Sequence, residues 1–375
     1  MSGIYIHIPF CKTKCTYCDF YSNTNFQQKK RVLNTIHTEI GHRKNYLSDK
    51  NISTIYFGGG TPSTLSIEEI QDILHKIKTY FIVLPDAEIT LESNPDDLSD
   101  NYLKSIRAIG INRISIGIQS FDNSQLSFIN RRHDASGAVQ AVQQAQRAGF
   151  DNISIDLIYG LPGQTIESWQ EQLEKAFTLD VQHISAYGLT YEPDTPLWKQ
   201  QQQGKVVATD EDTIIKMYEI LVDRCTKKRF EQYEISNFAK NGFRSRHNSS
   251  YWQQIPYLGI GPSAHSYDGD SRQWNTSSMG LYCQNIEQNR PYFEREKLTP
   301  NEKYNDYIMV RLRTCEGINL NIVNNLFGEN AVQLLLKSSK KYLQNKLLIH
   351  KNNFLCLSQA GILVSNLIIE DLMME

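Results

Sequence analysis

The chain has 375 residues, 40% hydrophobic and 21% charged, which is enough for one large domain and a smaller one. Its 39 Lys and Arg residues nearly balance 41 Asp and Glu residues, so composition favours a neutral or small-molecule partner over nucleic acid. The opening MSGIYIHIPF lacks the features of a signal peptide, and no later stretch is long enough to span a bilayer. We therefore expect a cytoplasmic protein without membrane insertion, whose seven cysteines stay reduced.

Short β-branched segments alternate with amphipathic segments through the first half of the chain. Strands are predicted at 4–8, 54–57, 88–92, 113–118, 153–158 and 183–189. Helices are predicted between them, several opened by Ser, Thr or Asp caps, at 28–47, 66–80, 99–109, 135–149 and 165–179. Six strand–helix units in series predict an α/β fold with a parallel sheet, either curled into a barrel or doubly wound. Functional side chains are then expected at the carboxyl ends of the strands.

Two further regions follow this core. Residues 231–298 are rich in aromatic side chains and are predicted to be irregular. From 299 the pattern becomes helical, and LLIHKNNFLCLS indicates a β-hairpin before a final helix. We therefore predict a core domain at 1–230, an irregular region at 231–298, and a small C-terminal α+β domain at 299–375 that resembles a winged helix.

Three cysteines lie within eight positions directly after the first predicted strand, in CKTKCTYC. Cys11, Cys15 and Cys18 give three ligands, whereas ferredoxins use four cysteines for each cubane cluster. Phe20 stands where a further short step would put a fourth. One alternative is a set of unrelated buried cysteines, which the tight spacing disfavours. Another is a zinc site completed by His7 or a distant histidine, but no second ligand pair is present, so an iron–sulfur cluster with one open iron is favoured.

A glycine-rich turn, FGGGTP, follows the second predicted strand. Consecutive glycines let the backbone approach a ligand closely, although a tight turn also needs glycine for its positive φ. Together, the C-x3-C-x2-C motif after a first strand and the glycine turn after the second resemble the radical S-adenosylmethionine superfamily. That resemblance implies that S-adenosylmethionine, through its amino and carboxylate groups, completes the open iron.

Polar residues follow at the later strands. Glu92 closes EITLE, Gln119 closes RISIGIQ, and Arg131 follows in FINRRH. Each of these alone is better explained as an ordinary surface residue, but Glu92 and Gln119 fall where a parallel strand opens onto a cleft. Asp156 lies inside the apolar strand ISIDLI and is the sharper anomaly, because a buried carboxylate needs partners.

The complete set of motifs narrows the family. YIHIPFC, FGGGTP, ESNP, GIQSF, DLIYGLPGQT and GLTYEPDTPL resemble the branch that contains oxygen-independent coproporphyrinogen III oxidases and HemW-type heme chaperones. The resemblance runs over nearly the whole chain and implies a partial (β/α)6 TIM-like barrel with a smaller C-terminal α+β appendage. It assigns a [4Fe–4S] cluster to Cys11, Cys15 and Cys18. It assigns S-adenosylmethionine to Tyr5, Tyr17, Gly59, Gly60, Thr61, Glu92, Gln119, Arg131 and Asp156.

Three features favour the HemW side of this branch. The oxidases carry a cysteine two positions after the third cluster cysteine, where this chain has Phe20. They also have a long extension before the first strand, whereas here Tyr5 comes almost at once. HNSSYW, at 247–252, resembles an H-N-x-x-Y-W element that is linked to heme binding in HemW proteins.

The heme ligand remains open from the sequence. His247 is the candidate axial ligand, because imidazole is a common ligand of heme iron. Without the resemblance, a histidine that satisfies loop backbone together with Asn248 is the favoured explanation, and His265 and Cys283 are rival ligands. The resemblance implies a chaperone that passes heme to an unidentified acceptor protein, with the cluster, S-adenosylmethionine and an electron donor controlling the transfer. The alternatives are radical decarboxylation of coproporphyrinogen III and, more distantly, a zinc-stabilised interaction module; peripheral membrane contact stays open.

Overall fold

The computed structural model describes residues 1–374 and is built around one 12-stranded sheet. Six parallel strands form the centre of this sheet, in chain order. They are β1 (Ser2–Ile8), β2 (Asn51–Gly59), β3 (Ile82–Ser93), β4 (Arg113–Gln119), β5 (Ile153–Tyr159) and β6 (His183–Gly188). The helices between them are α1 (Lys29–His42), α2 (Ile67–Tyr80), α3 (Asp100–Ala108), α4 (Asn123–Phe128), α5 (Ala135–Arg147) and α6 (Ile166–Thr178). All six predicted strands are present, which confirms the α/β fold with a parallel sheet.

Local capping explains where several of these helices begin and end. At the start of α2, the Ser66 hydroxyl accepts from the Glu69 backbone N–H, and the Glu69 carboxylate accepts from the Ser66 N–H. The Asp134 side chain accepts from the backbone of Gly137 and begins α5. Gly110, which has a positive φ, follows the end of α3 and turns the chain into the next strand.

Strands β1 to β6 are apolar on one face and largely polar on the other. In β4, Ile114 and Ile116 are fully buried in the hydrophobic core, whereas Arg113 and Ser115 line a cavity on the opposite face. Residues from β2 through β6 border this one cavity, so the strands curve around it as a partial (β/α)6 barrel. Barrels of this kind usually fill their interior with branched aliphatic side chains. Here the interior is a polar lumen that can accept a polar ligand.

Residues 231–298 are not irregular, and this part of the sequence prediction was wrong. After α7 (Pro196–Gln202) and α8 (Glu211–Lys227), the chain extends both edges of the sheet. Its elements are β7 (Glu231–Gln232), β8 (Asn237–Ala239), α9 (Arg246–Trp252), β9 (Tyr257–Ile260), β10 (His265–Tyr267), β11 (Ser271–Asn275), α10 (Met279–Glu287) and β12 (Phe293–Lys297). The strands are only two to five residues long, which is too short for alternation to be recognised in the sequence.

The C-terminal residues form a second, smaller hydrophobic core, whose buried members run from Tyr304 to Leu372. The elements are α11 (Pro300–Leu312), β13 (Ile318–Asn319), α12 (Leu320–Phe327), α13 (Glu329–Gln344), β14 (Leu348–Lys351), β15 (Phe354–Leu357), α14 (Gln359–Leu363) and α15 (Ser365–Leu372). Hairpin β14–β15 lies where the sequence predicted it, and two short helices follow instead of one. Within residues 1–374, no helix combines the length and apolar character that crossing a membrane requires.

Candidate functional site

A cavity of about 500 Å³ opens at the carboxyl ends of the parallel strands. Its wall combines the cysteine loop after β1, the glycine turn after β2 and the inner faces of β3 to β6. Of the residues predicted to bind the cluster or S-adenosylmethionine, the cavity is lined by Cys11, Cys15, Tyr17, Cys18, Gly59, Gly60, Thr61, Glu92, Gln119, Arg131 and Asp156. Residues that are far apart in the chain therefore meet at one site.

The cysteine loop is held in place by backbone hydrogen bonds and by donors to sulfur. The Thr61 hydroxyl donates to Cys11 Sγ at 3.3 Å, and the Arg131 guanidinium donates to Cys15 Sγ at 3.4 Å. Burial raises the pKa of Cys11, and burial together with the neighbouring thiols raises the pKa of Cys18 to about 11. Donors to sulfur favour the thiolate form that a metal ligand needs.

The donor set fits a multi-iron cluster. Among the described residues, no three His, Cys, Asp or Glu side chains are arranged to hold a single metal ion. Instead, Cys11, Cys15 and Cys18 border the same cavity. The thiols of Cys11 and Cys15 are close enough to Cys18 to raise its pKa. Three thiols around a common space, with a hydroxyl and a guanidinium donating to them, are suited to a cubane with one iron left open.

The glycine turn packs directly against β1. The Gly60 N–H donates to the Ile8 carbonyl, and the Thr61 N–H donates to the Phe10 carbonyl, each at 2.8 Å. Gly59 has a φ of +104°, and a Cβ there would lie 2.5 Å from the His7 ring. Glycine is therefore required here by the close approach of the turn to the strand that carries the cysteines.

Glu92 and Asp156 put two carboxylates on the wall of the lumen. The Tyr56 hydroxyl donates to Glu92 at 2.6 Å, and the Gly59 N–H donates to it at 3.2 Å. The Ser115 hydroxyl donates to Asp156 at 3.3 Å. Burial raises the pKa of Glu92 to about 7 and that of Asp156 to about 6. Both carboxylates thus have spare acceptor capacity for the hydroxyl or cationic groups of a ligand.

Arg131 and Gln119 lie on the same wall, nearer the cysteines. The Arg131 guanidinium donates to the Gly117 carbonyl at 2.5 Å and to the Asn94 side chain at 3.3 Å, besides its bond to Cys15. Gln119 ends β4 with a φ of +70°, an uncommon conformation for a residue other than glycine. Such strain is frequent at ligand sites and turns the chain out of the strand at the cavity rim.

Tyr5 and His247 lie behind the cavity wall, at the floor of the lumen. The imidazole of His247 stacks on Tyr56 with 5.0 Å between ring centroids, and on Tyr5 with 6.4 Å. Its Nδ1 is 2.8 Å from the Thr54 hydroxyl, and its Nε2 is 2.8 Å from the Tyr251 hydroxyl. His247 is 1% exposed, and burial lowers its pKa to about 3. It is a neutral, fully hydrogen-bonded histidine in this conformation.

The segment HNSSYW is therefore helical, forms residues two to seven of α9, and lies beneath the lumen. The backbone N–H groups of Arg246 and His247 donate to the buried Glu88 carboxylate, each at 3.0 Å, and Asn248 lines the cavity. The rival ligands differ in access, since His265 is exposed on β10 and Cys283 is fully buried in α10.

Sequence reasoning missed several residues of the site. Arg113, Ser115 and Ser185 line the lumen from within strands, and Asn248 reaches it from α9. The signal was present as the polar alternation of RISIGIQ, in which every second residue is small or polar.

Known proteins resemble this chain in sequence and in fold. The radical SAM superfamily profile matches residues 5–176, and the HemN C-terminal domain profile matches residues 298–364. The solved structure of coproporphyrinogen III oxidase (HemN) from Escherichia coli has a TM-score of 0.85, covering 99% of this chain and 90% of that one. Its sequence identity is 23%, so this likeness shows the shared fold.

Two relatives match along nearly their entire length. Heme chaperone HemW of Bacillus subtilis is 35% identical over 98% of this chain and 97% of its own. Heme chaperone HemW of Lactococcus lactis is 32% identical over 100% of this chain and 98% of its own. The chain therefore belongs to the HemW family of radical S-adenosylmethionine proteins.

Proposed function

We propose that the protein is a heme chaperone that carries a [4Fe–4S] cluster and binds S-adenosylmethionine beside it. The observation that carries the proposal is the meeting of three cysteines, a glycine turn and two buried carboxylates around one cavity, in a chain related to HemW over its whole length. Superfamily membership implies the cluster and S-adenosylmethionine as cofactors. The heme acceptor and the electron donor remain unidentified proteins in this proposal.

Each part of the cavity has a role with respect to these cofactors. Cys11, Cys15 and Cys18 would hold the cluster, which supplies an open iron and an electron when bound. Arg131 donates to Cys15 and is suited to neutralise the methionine carboxylate next to that iron. Glu92 and Asp156, further along the lumen, are suited to accept hydrogen bonds from ribose hydroxyls.

Heme binding is proposed at the HNSSYW segment, with His247 as the axial ligand. Ligation would require the imidazole to give up its hydrogen bond with Thr54 or with Tyr251, because both ring nitrogens are engaged. Movement of the seven-residue helix α9 would release it. His265 is the alternative ligand, since its side chain is already exposed on β10.

The alternative function is oxidative decarboxylation of coproporphyrinogen III, and the fold shared with HemN of Escherichia coli is the observation in its favour. Phe20 is 64% exposed at the cavity, at the position where the sequence resemblance expects a cysteine in the oxidases. An enzyme would need substrate to reach the lumen with both cofactors bound, whereas a chaperone needs only heme uptake and release.

Anaerobic reconstitution, followed by iron and sulfide analysis and heme titration, tests the proposal. The parent protein should bind a cluster and show saturable heme binding with a Soret band, without converting coproporphyrinogen III. Replacing Cys11, Cys15 and Cys18 together with Ala should abolish the cluster and spare heme binding. Cys225→Ala, which removes a buried thiol of α8, is the matched control and should spare both. Decarboxylation without saturable heme binding would support the oxidase instead.

A further inference from the structure

Arg113 is among the most buried large side chains of the molecule, yet one nitrogen of its guanidinium has no hydrogen-bond partner. The residue is 1% exposed, and its Nε makes no hydrogen bond. The residue borders the cavity, and its charge acts on the carboxylates of Glu92 and Asp156 across the lumen. A desolvated cation normally has several partners, because each of its N–H groups loses water on burial. A ligand group in the lumen would supply such a partner.

The charges around Arg113 do not provide that partner. The positive charge of Arg113 lowers the pKa of Glu92 and of Asp156, against the effect of burial. The hydrogen bonds of these two carboxylates, however, come from Tyr56, Gly59 and Ser115. Its other neighbours are neutral: the buried rings of His183 and His247, whose pKa burial lowers, and the hydroxyls of Tyr56 and Tyr233, whose pKa burial raises.

Arg113 and Arg131 lie at different depths of the lumen. Arg131 donates to the cluster cysteine Cys15 at the rim, whereas Arg113 is the first residue of β4 and Gln119 is the last. The Arg131 guanidinium bonds to the carbonyl of Gly117, whose Cα lies four residues, or about 13 Å, along β4 from that of Arg113, and Asp156 is within the field of both arginines. A single carboxylate on a cosubstrate bound at the rim therefore meets Arg131 first.

We propose that Arg113 anchors a second ligand subsite at the base of the lumen and binds a carboxylate there. The inference rests on the proposed function for its ligand class, a tetrapyrrole that carries propionate groups. Arg113 is close enough to His247 to lower its pKa, so a heme ligated by His247 would bring its edge into the field of this guanidinium. An arginine fork matches a carboxylate with two parallel hydrogen bonds. The other source of a carboxylate is the methionine part of S-adenosylmethionine.

Esterification of the propionates tests the subsite directly. Heme and heme dimethyl ester are titrated into the full-length parent, Arg113→Gln and Arg113→Lys, with Soret absorbance as the readout. The parent should bind free heme about ten- to a hundredfold more tightly than the ester, since a hydrogen bond to a charged group is lost. Arg113→Gln should bind the two alike, and Arg113→Lys should retain part of the preference. Arg43→Gln, which removes another buried arginine that bonds to Gln273, controls for loss of buried charge.

A second arm identifies the source of the carboxylate. S-adenosylmethionine and its decarboxylated form are compared by calorimetry on the reconstituted parent and Arg113→Gln, with iron content and thermal midpoint as checks on folding. We expect the preference for S-adenosylmethionine to survive in Arg113→Gln. If Arg113→Gln abolishes that preference instead, the subsite stands and its carboxylate belongs to the cosubstrate. The subsite is overturned if neither preference depends on Arg113. If the parent binds neither heme nor its ester, the proposed heme chaperone function is contradicted. The calorimetric comparison then tests by itself whether Arg113 binds a carboxylate.

Discussion

Glu92→Gln should make the cofactor-free protein more stable at alkaline pH. Burial raises the pKa of Glu92 from 4.5 to about 7, so the folded protein holds this proton to a higher pH than the unfolded chain does. The stability contributed by the protonated form is complete below about pH 4.5 and is lost as the pH rises through about 7. Since one pKa unit corresponds to about 1.4 kcal/mol, the loss is up to about 3 kcal/mol.

The amide of glutamine would avoid that loss and keep both contacts. Its oxygen can accept from the Gly59 N–H, and its NH2 group can donate to the Tyr56 hydroxyl, which then acts as acceptor. Because the carboxylate borders an open cavity, we discount the gain to about 2 kcal/mol at pH 8. The variant should therefore melt about 2–5 °C above the parent at pH 8 and close to it at pH 5.

Scanning fluorimetry of iron-free parent and variant protein at both pH values is sufficient for this measurement. The exposed Glu171→Gln, on α6, is the control and should change neither midpoint. Calorimetry on reconstituted protein should show that Glu92→Gln, although more stable, binds S-adenosylmethionine more weakly than the parent. An equal gain at pH 5 and pH 8, or no gain at pH 8, would refute the view that Glu92 is held protonated by burial.

Two further predictions concern the cluster and the glycine turn. Gly59→Ala should reduce the effect of S-adenosylmethionine on the EPR spectrum of the reduced cluster, because the new Cβ would lie 2.5 Å from the His7 ring. Gly110→Ala is the control: this glycine has a similar φ but nothing within 4 Å of the new Cβ, so the EPR response should not change. Thr61→Val should lower the cluster's reduction potential in a redox titration, because it removes a hydroxyl that donates to a cysteine sulfur; an unchanged potential would show that this hydroxyl does not tune the cluster.

Most of the candidate site could be predicted from the sequence because its residues follow strands. The cysteine motif comes directly after β1 and the glycine turn directly after β2, and the carboxyl ends of parallel strands meet at one edge. Glu92 and Gln119 were assigned on the same basis, and the structure brings them to one cavity. Their binding roles stay predictions, since proximity alone does not identify a ligand.

The residues that were missed lie inside strands or in the short elements after α8. The alternation in RISIGIQ shows that β4 has a polar face, but both faces of a parallel sheet are usually covered, so this pattern alone does not distinguish a lumen from a surface. Arg113 opens β4 and has the appearance of a surface residue in the sequence, but the curvature of the sheet encloses it. His247 was assigned to a loop, whereas α9 folds back under the lumen because its first N–H groups bind Glu88.

The position of His247 also links the two proposed ligands. Its ring stacks on Tyr56, and the Tyr56 hydroxyl donates to Glu92, which is proposed to bind S-adenosylmethionine. If the imidazole moves to ligate a heme, Tyr56 loses this stacking contact and Glu92 is held less firmly. Heme bound through His247 should then weaken S-adenosylmethionine binding, and by reciprocity S-adenosylmethionine should weaken heme binding by the same factor. Heme bound through the exposed His265 would leave that support intact. Heme titrations with and without saturating S-adenosylmethionine therefore distinguish the two ligands: antagonism indicates His247, and independence contradicts it.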